Sequence, residues 1–390
     1  MNKIKKLTLY NSPQSGTESA ISFDDSKNIL ILTGFNGSGK TRILNIIHES
    51  ISLVRGYDYD TANSQWLAEI IFSGEVEDIR LRTLKLERHR PEKDDDDKKL
   101  NNLLSSDKSL KEIFNRAINI TSPKKNADVM RKAKDNDALD VICVAGLQGV
   151  VHDADLFKSN AESVLFIDDR LFFSYKRELD ELVFDSAPNI DKTLYILINE
   201  FVSSVARSAI PEITKELIDT SIKELFEKHL KNLDKKKLDN IESFKNQLKK
   251  ELAENIAKQG ISVVGNSDFF EKINRFFHQT KRKLIWDDQR FFILKLNNDS
   301  EISWVDFSKG EKTLLAIMLI TFLYKDRAIF CFDEPDLSLH IEWQEMLLPI
   351  LQEIAPEAQF IIATHSPALI LNTSSEQVVN LARLGKEVGI

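Results

Sequence analysis

The feature that most restricts what this chain can fold into is residues 31–42, ILTGFNGSGKTR, where an apolar strand runs into a glycine-rich turn and then into the helical pattern ILNIIHE. Gly34, Phe35, Asn36, Gly37, Ser38, Gly39, Lys40 and Thr41 satisfy G-x-x-x-x-G-K-[ST] at each fixed position, with the strand before and the helix after that phosphate binding requires. The three glycines let the backbone wrap around phosphate oxygens, so that successive N–H groups and the positive helix end face an anion. Lys40 is then expected on the β- and γ-phosphates and Thr41 on Mg²⁺, a cation that prefers hard oxygen ligands; Arg42 completes the candidate set. A glycine-rich turn with a chance lysine is the bland alternative, and the matching context weighs against it.

At 390 residues the chain exceeds one ordinary core, so two or more folding units, or one lobe interrupted by an insertion, are expected. Lys plus Arg number 53 against 61 Asp plus Glu, and the net charge of −8 creates no general field for nucleic acid or anionic membrane. Cys143 and Cys331 lack Cys-x-x-Cys spacing, which argues against a disulfide framework or zinc site and predicts a reducing, cytoplasmic setting. The N-terminus lacks a signal-peptide core and the longest apolar run, residues 314–324, is too short for a bilayer, so no membrane partner is expected.

In chain order, strands are predicted over 3–10, 20–23 and 28–33, a helix over 41–53, and a hairpin from 66–72 and 76–86. HRPEKDDDDKKLNN reads as a solvated loop, since four adjacent carboxylates lack the fixed spacing of a calcium loop. A helix near 109–118, a buried run at 141–145 and a core strand at 163–167 follow; the strand ends in Asp168-Asp169-Arg170, where a functional end and a salt-bridged end are both open. Helical spacing over 189–258 predicts an antiparallel pair with an exposed basic tip at Lys235, Lys236 and Lys237. An aromatic helix at 269–277 reads as core, with strands at 284–286 and 291–296.

Three further signals come in order. Phe307-Ser308-Lys309-Gly310-Glu311-Lys312 opens a long apolar helix, so Ser308 and Gly310 present a hydroxyl and backbone N–H groups at its positive end, although many helices have such a cap. Residues 328–332 lead to Asp333-Glu334-Pro335, where Asp333 approaches a metal through its water shell and Glu334 orients and deprotonates a water. Residues 360–363 lead to Thr364-His365-Ser366-Pro367, placing His365 to donate to the γ-phosphate or hold the water.

With these motifs the sequence resembles the ABC-type ATPases, in the branch that includes SMC-like repair ATPases, the OLD family and the ATPase subunits of anti-phage systems such as PARIS and Septu. The phosphate loop resembles Walker A, FSKGEK the signature, CFDEP Walker B, DLSLH the D-loop and ATHSP the H-loop, over residues 1–88 and 300–372. Lys309 and Glu311 depart from the transporter pattern, and neither Gln148 nor Asp168-Asp169-Arg170 can be assigned as the glutamine loop. The resemblance implies an α/β fold: an ABC-type P-loop lobe, a mixed sheet with flanking helices, formed by residues 1–88 and 300–390 and interrupted by a mainly helical insertion at 89–299. It further implies ATP and Mg²⁺ as cofactors, catalysis by Lys40, Glu334 and His365, and a homodimer or higher oligomer in which the opposing protomer supplies Ser308 and Gly310. The short stretch after His365 leaves no room for a nuclease domain, so a separately encoded effector is expected; an SMC-like DNA-repair ATPase, with DNA contact, is the second reading and a transporter ATPase the third.

Overall fold

The computed structural model describes residues 3–10, 19–23, 27–55, 65–74, 77–88, 96–121, 140–148, 162–174, 189–209, 267–287, 291–326, 328–371 and 373–383. The chain divides into two compact units, one of residues 1–181, 326–336 and 356–390, the other of 182–325 and 337–355.

The first unit runs β1 (Ile4–Tyr10), β2 (Ser19–Ser22), β3 (Ile29–Thr33), α1 (Lys40–Val54), β4 (Trp66–Phe72), β5 (Ile79–Arg88), α2 (Asp96–Leu104), α3 (Leu110–Thr121), β6 (Asp140–Gln148), β7 (Glu162–Ile167) and β8 (Arg170–Phe173). In the second unit follow α4 (Asn189–Ala209), α5 (Ser267–Gln279), β9 (Lys283–Asp287), β10 (Phe291–Lys295), β11 (Glu301–Ser303) and α6 (Lys309–Tyr324). The chain then returns to the first unit as β12 (Ala328–Asp333), crosses to the second as α7 (Ile341–Ile354), and ends in the first with β13 (Gln359–Ala363), α8 (Pro367–Leu371) and β14 (Val378–Asn380).

Two sheets organise the first unit. One is antiparallel, in the order β2-β1-β4-β5-β6. The other is mixed, in the order β14-β3-β13-β12-β7-β8, with β8 alone antiparallel to its neighbour. Its parallel strands read as near-continuous apolar runs, ILILT, AIFCFD and QFIIA, because both faces of such a sheet are covered. A shared core joins Leu7 and Ile70 of the antiparallel sheet, Ile43, Ile47 and Ile51 of α1, and Leu32, Cys331 and Ile361 of the mixed sheet. The far face of the antiparallel sheet is covered by Leu100, Leu104, Ile113 and Phe114 of α2 and α3.

Because α1 is buried on every side over residues 43–52, its polar residues there need internal partners. Glu49 pairs with Lys85 of β5 at 2.9 Å, Ser50 bonds Thr83 at 2.6 Å, and His48 Nδ1 lies 2.9 Å from Ser163 Oγ of β7. Burial holds the His48 imidazole far below its usual range, at about 3.

The acidic run differs from the solvated loop predicted for it. Asp96 and Asp97 open α2, and Leu100 and Leu104 carry the following turns into the core. The expected strand at 163–167 is present, and Asp168 and Asp169 after it form a tight turn with φ of 51° and 61° that folds β8 back as a hairpin. The middle of the chain thus contributes β6, β7 and β8 to the two sheets of the first unit. Of the helical stretch predicted over 189–258, residues 189–209 form α4; the rest, with the basic tip at Lys235, Lys236 and Lys237, lies outside the described residues.

The second unit packs α4, α5, α6 and α7 with the sheet β11-β10-β9. The aromatic helix is core as expected: Phe269, Ile273, Phe276 and Phe277 are buried, and Phe269 meets Phe201 and Phe292 at ring-centroid distances of 5.3 and 6.0 Å. Trp343 Nε1 of α7 donates to Phe276 O at 3.1 Å.

Candidate active site

Parallel pairing aligns three strand ends. Asp333 stands opposite Ala363, and Ala363 opposite Leu32, so the residues following β3, β12 and β13 emerge at one edge of the mixed sheet. Ligands of open α/β sheets gather at such carboxyl ends.

After β3, Gly34, Gly37 and Gly39 take φ of 145°, 78° and 92°, in the region that side chains disfavour. A Cβ on Gly37 or Gly39 would meet nothing within 4 Å, so conformation and not crowding requires glycine there; a Cβ on Gly34 would meet Ser38 Oγ at 2.8 Å. Phe35 and Asn36 form the exposed outer tip of the loop, while Ser38 and Lys40 are buried. Gly39 caps α1 with no side-chain acceptor and the first turn carries no acid, which leaves its positive end turned toward the loop.

Around this loop the side chains of Lys40, Thr41, Asp333, Glu334 and His365 come together. Lys40 Nζ lies 3.4 Å from Gly34 O and 2.6 Å from His365 Nε2. An ammonium has only donors, so Nε2 is the accepting nitrogen of that pair. Thr41 Oγ1 donates to Asp333 Oδ2 at 2.8 Å. Burial raises the Asp333 carboxyl above the usual range, the Thr41 bond opposes this, and the charges of Glu334 and Asp168 add to it. Asp333 Oδ1 is buried without a partner among the described residues. An oxygen pair of this kind, one atom held and one unpaired, fits a hard cation such as Mg²⁺.

Glu334 adopts φ of 47°, a left-handed conformation that costs a non-glycine residue about 1–2 kcal/mol and turns its side chain off the strand axis. Its N–H donates to Ala363 O at 2.8 Å; Glu334 Oε2 accepts from the His365 backbone N–H at 3.3 Å and Oε1 stands 3.6 Å from His365 Nε2. A bond absent from the sequence reading stiffens this corner: Thr364 Oγ1 donates to the buried Asp336 at 2.6 Å and accepts from Ser366 N at 2.8 Å. Only folding joins residues 28 positions apart, so no local pattern marks that pair.

Arg42 is committed elsewhere. Its Nη2 donates to Gln65 O at 3.2 Å and burial lowers its pKa. Gln148 pairs with Arg80 on the outer strand of the antiparallel sheet, whereas Asp168 follows β7, the neighbour of β12, near enough for its charge to act on Asp333.

Ser308 and Gly310 belong to the second unit, at the start of α6. Ser308 is exposed and forms a capping box: its Oγ accepts from Glu311 N at 3.3 Å and its N–H donates to Glu311 Oε2 at 2.7 Å, while Arg282 pairs with the other carboxylate oxygen of Glu311. Gly310 has a packing reason to be glycine, since a Cβ there would lie 2.5 Å from Ser338 O in the segment before α7.

Residues 215–372 match the family model described as "AAA domain, putative AbiEii toxin, Type IV TA system". The chain is 36% identical over 95 residues to the "Retron Vc95 probable ATPase" of Vibrio cholerae serotype O1 biovar El Tor, covering 21% of this chain and 18% of that protein. It is 32% identical over 93 residues to the "Retron Ec83 probable ATPase" of Escherichia coli, covering 21% and 17%. The matches therefore span less than a fifth of these relatives' own length. Among solved structures, the Smc head domain of Pyrococcus furiosus bound to the C-terminal domain of ScpA overlays with a TM-score of 0.41 at 16% identity, over 96% of this chain and 92% of that one. The SMC head domain from Thermotoga maritima gives 0.40 at 14% identity, over 95% and 92%. In its ordered motifs and its local matches, the chain resembles the ABC-type ATPases, in the branch that includes ATPases of defence systems.

Proposed function

We propose that this chain binds ATP with Mg²⁺ in the loop of residues 34–41, hydrolyses it, and uses the cycle to join and release a second copy of itself. The observation that carries this reading is the convergence of Lys40, Thr41, Asp333, Glu334 and His365 at one sheet edge, with an unpaired Asp333 oxygen beside the Thr41 hydroxyl.

The loop N–H groups and the start of α1 bind the phosphates, and Lys40 exchanges its contact with His365 for their oxygens. Thr41 and Asp333 would hold Mg²⁺, which would supply charge neutralisation to the nucleotide's phosphates. Glu334 accepts the proton of the attacking water. Its left-handed backbone and the His365 N–H set the carboxylate at the mouth of the loop. The imidazole of His365, released from Lys40 and with its proton then on Nε2, donates toward the terminal phosphate. Most of the catalytic work is charge stabilisation and positioning.

Ser308 and Gly310 act on the nucleotide held by the partner copy, which makes ATP binding a dimerisation switch. The exposed Ser308 hydroxyl and the capping box that fixes it support this assignment. Cytoplasmic defence, in which the ATPase governs a separately encoded effector, is the biological role we favour; the local likeness to the retron ATPases supports it.

Lys40→Ala should weaken ATP binding, whereas Glu334→Gln should keep the affinity and slow phosphate release by about 10²–10⁴-fold, the contribution of a positioned base. Titration with a fluorescent ATP analogue and steady-state phosphate release measure the two effects. An equal loss of affinity in both variants would remove Glu334 from its role.

A further inference from the structure

One cavity in the first unit, of about 670 Å³, is lined by Thr33, Gly34, Phe35, Asn36, His365 and Asn380. Five of these belong to the phosphate loop, the strand end before it, or the H-loop. Asn380 belongs to none of the motifs: it ends β14, and its backbone pairs in parallel with Thr33, the last residue of β3.

The amide of Asn380 is oriented by its own chain. Its Oδ1 accepts from Ala382 N at 3.0 Å, and because a backbone N–H requires an acceptor, oxygen and not nitrogen must occupy that side. Nδ2, with its two hydrogens, is thereby left as the group available to the cavity, and no protein acceptor engages it among the described residues. The same short segment presses on the phosphate loop: a Cβ at Gly34 would stand 3.4 Å from Ala382 N. Strand pairing and turn therefore place the amide beside the loop.

The cavity also has a definable end. Lys40 Nζ lies between Gly34 O and His365 Nε2, both on residues that line it, and a lysine in this loop reaches the β- and γ-phosphates. The volume beside Gly34 and His365 is thus where the terminal phosphate belongs, and an anion there gains from a fixed, neutral N–H donor.

Resting on the nucleotide site proposed above, we propose that Asn380 is an additional ligand-contacting residue that donates Nδ2–H to the terminal phosphate and so favours ATP over ADP. Substitution separates this role from a structural one. Asn380→Asp keeps an oxygen acceptor for Ala382 N but replaces the donor with a negative charge, whereas Asn380→Ala removes both.

The full-length chain and both variants are titrated with fluorescent ATP and ADP analogues in Mg²⁺, with nucleotide-free melting temperatures as the folding control. Asn380→Ala should raise the Kd for ATP about tenfold, the effect of losing one hydrogen bond to a charged group, and Asn380→Asp should raise it further; ADP should move by less than about twofold. If Asn380→Asp binds ATP like the wild type, or both nucleotides weaken equally, Asn380 serves only the turn and the inference is overturned. Wild-type protein that binds neither nucleotide would overturn the nucleotide site itself, and this inference with it.

Discussion

His48 shows how a single residue links the fold to solution conditions. It sits in the middle of α1, fully buried against Ser163, with its pKa lowered from 6.5 to about 3 by burial. Between those values the unfolded chain holds the proton and the folded chain does not. Stability is therefore complete above pH 6.5 and falls as the pH drops toward 3. Relative to His48→Gln, the wild type should lose stability on acidification by up to about tenfold in its folding equilibrium per pH unit, read by urea denaturation at a series of pH values. Parallel curves for the two proteins would mean that the folded imidazole titrates normally. The buried Cys331 illustrates the same physics with opposite direction: removal from water pushes its thiol up to about 12, which makes it a packing residue and not a nucleophile.

At the scale of the element, the start of α6 carries two requirements in four residues. The capping box of Ser308 and Glu311 is a local pattern that holds the serine in place, and Arg282 reinforces it from the turn before β9. Gly310 answers to a different neighbour, the Ser338 carbonyl, which leaves no space for a methyl group. Gly310→Ala should cost about 1–3 kcal/mol, as overpacking does, and should lower the urea midpoint of the nucleotide-free protein. An unchanged midpoint would show that the Ser338 backbone shifts freely. Gly37 and Gly39 contrast with it, because open space surrounds them and only their left-handed backbone demands glycine.

At the scale of the whole molecule, the chain leaves the first unit near residue 181 and re-enters it twice, for residues 326–336 and 356–390. The phosphate loop and Asp333 therefore lie in the first unit while Ser308 and Gly310 lie in the second. If each nucleotide is served by Lys40 of one copy and Ser308 of the other, two differently crippled proteins should complement. Mixing Lys40→Ala with Ser308→Arg should restore about one working site per heterodimer once subunits exchange. Phosphate release measured against the mixing ratio tests this, and exchange without recovery would argue that Ser308 does not act across a dimer.

The sequence by itself determined the contiguous features: the phosphate loop with its strand and helix, the hairpin of β4 and β5, the apolar strands that precede Asp333 and Thr364, and the cap of α6. Each is written in neighbouring residues, where spacing and turn chemistry act directly. Tertiary structure alone decided that β7 lies beside β12, that the second half of the aspartate run becomes the start of α2, and that Glu49 finds Lys85 inside the molecule. It also decided that Arg42 turns to Gln65, that Asp336 meets Thr364, and that Asn380 stands at the phosphate loop. These outcomes depend on strand order and register between distant segments, and a register shift of one residue would turn strand side chains such as Lys85 and Asn380 to the opposite face.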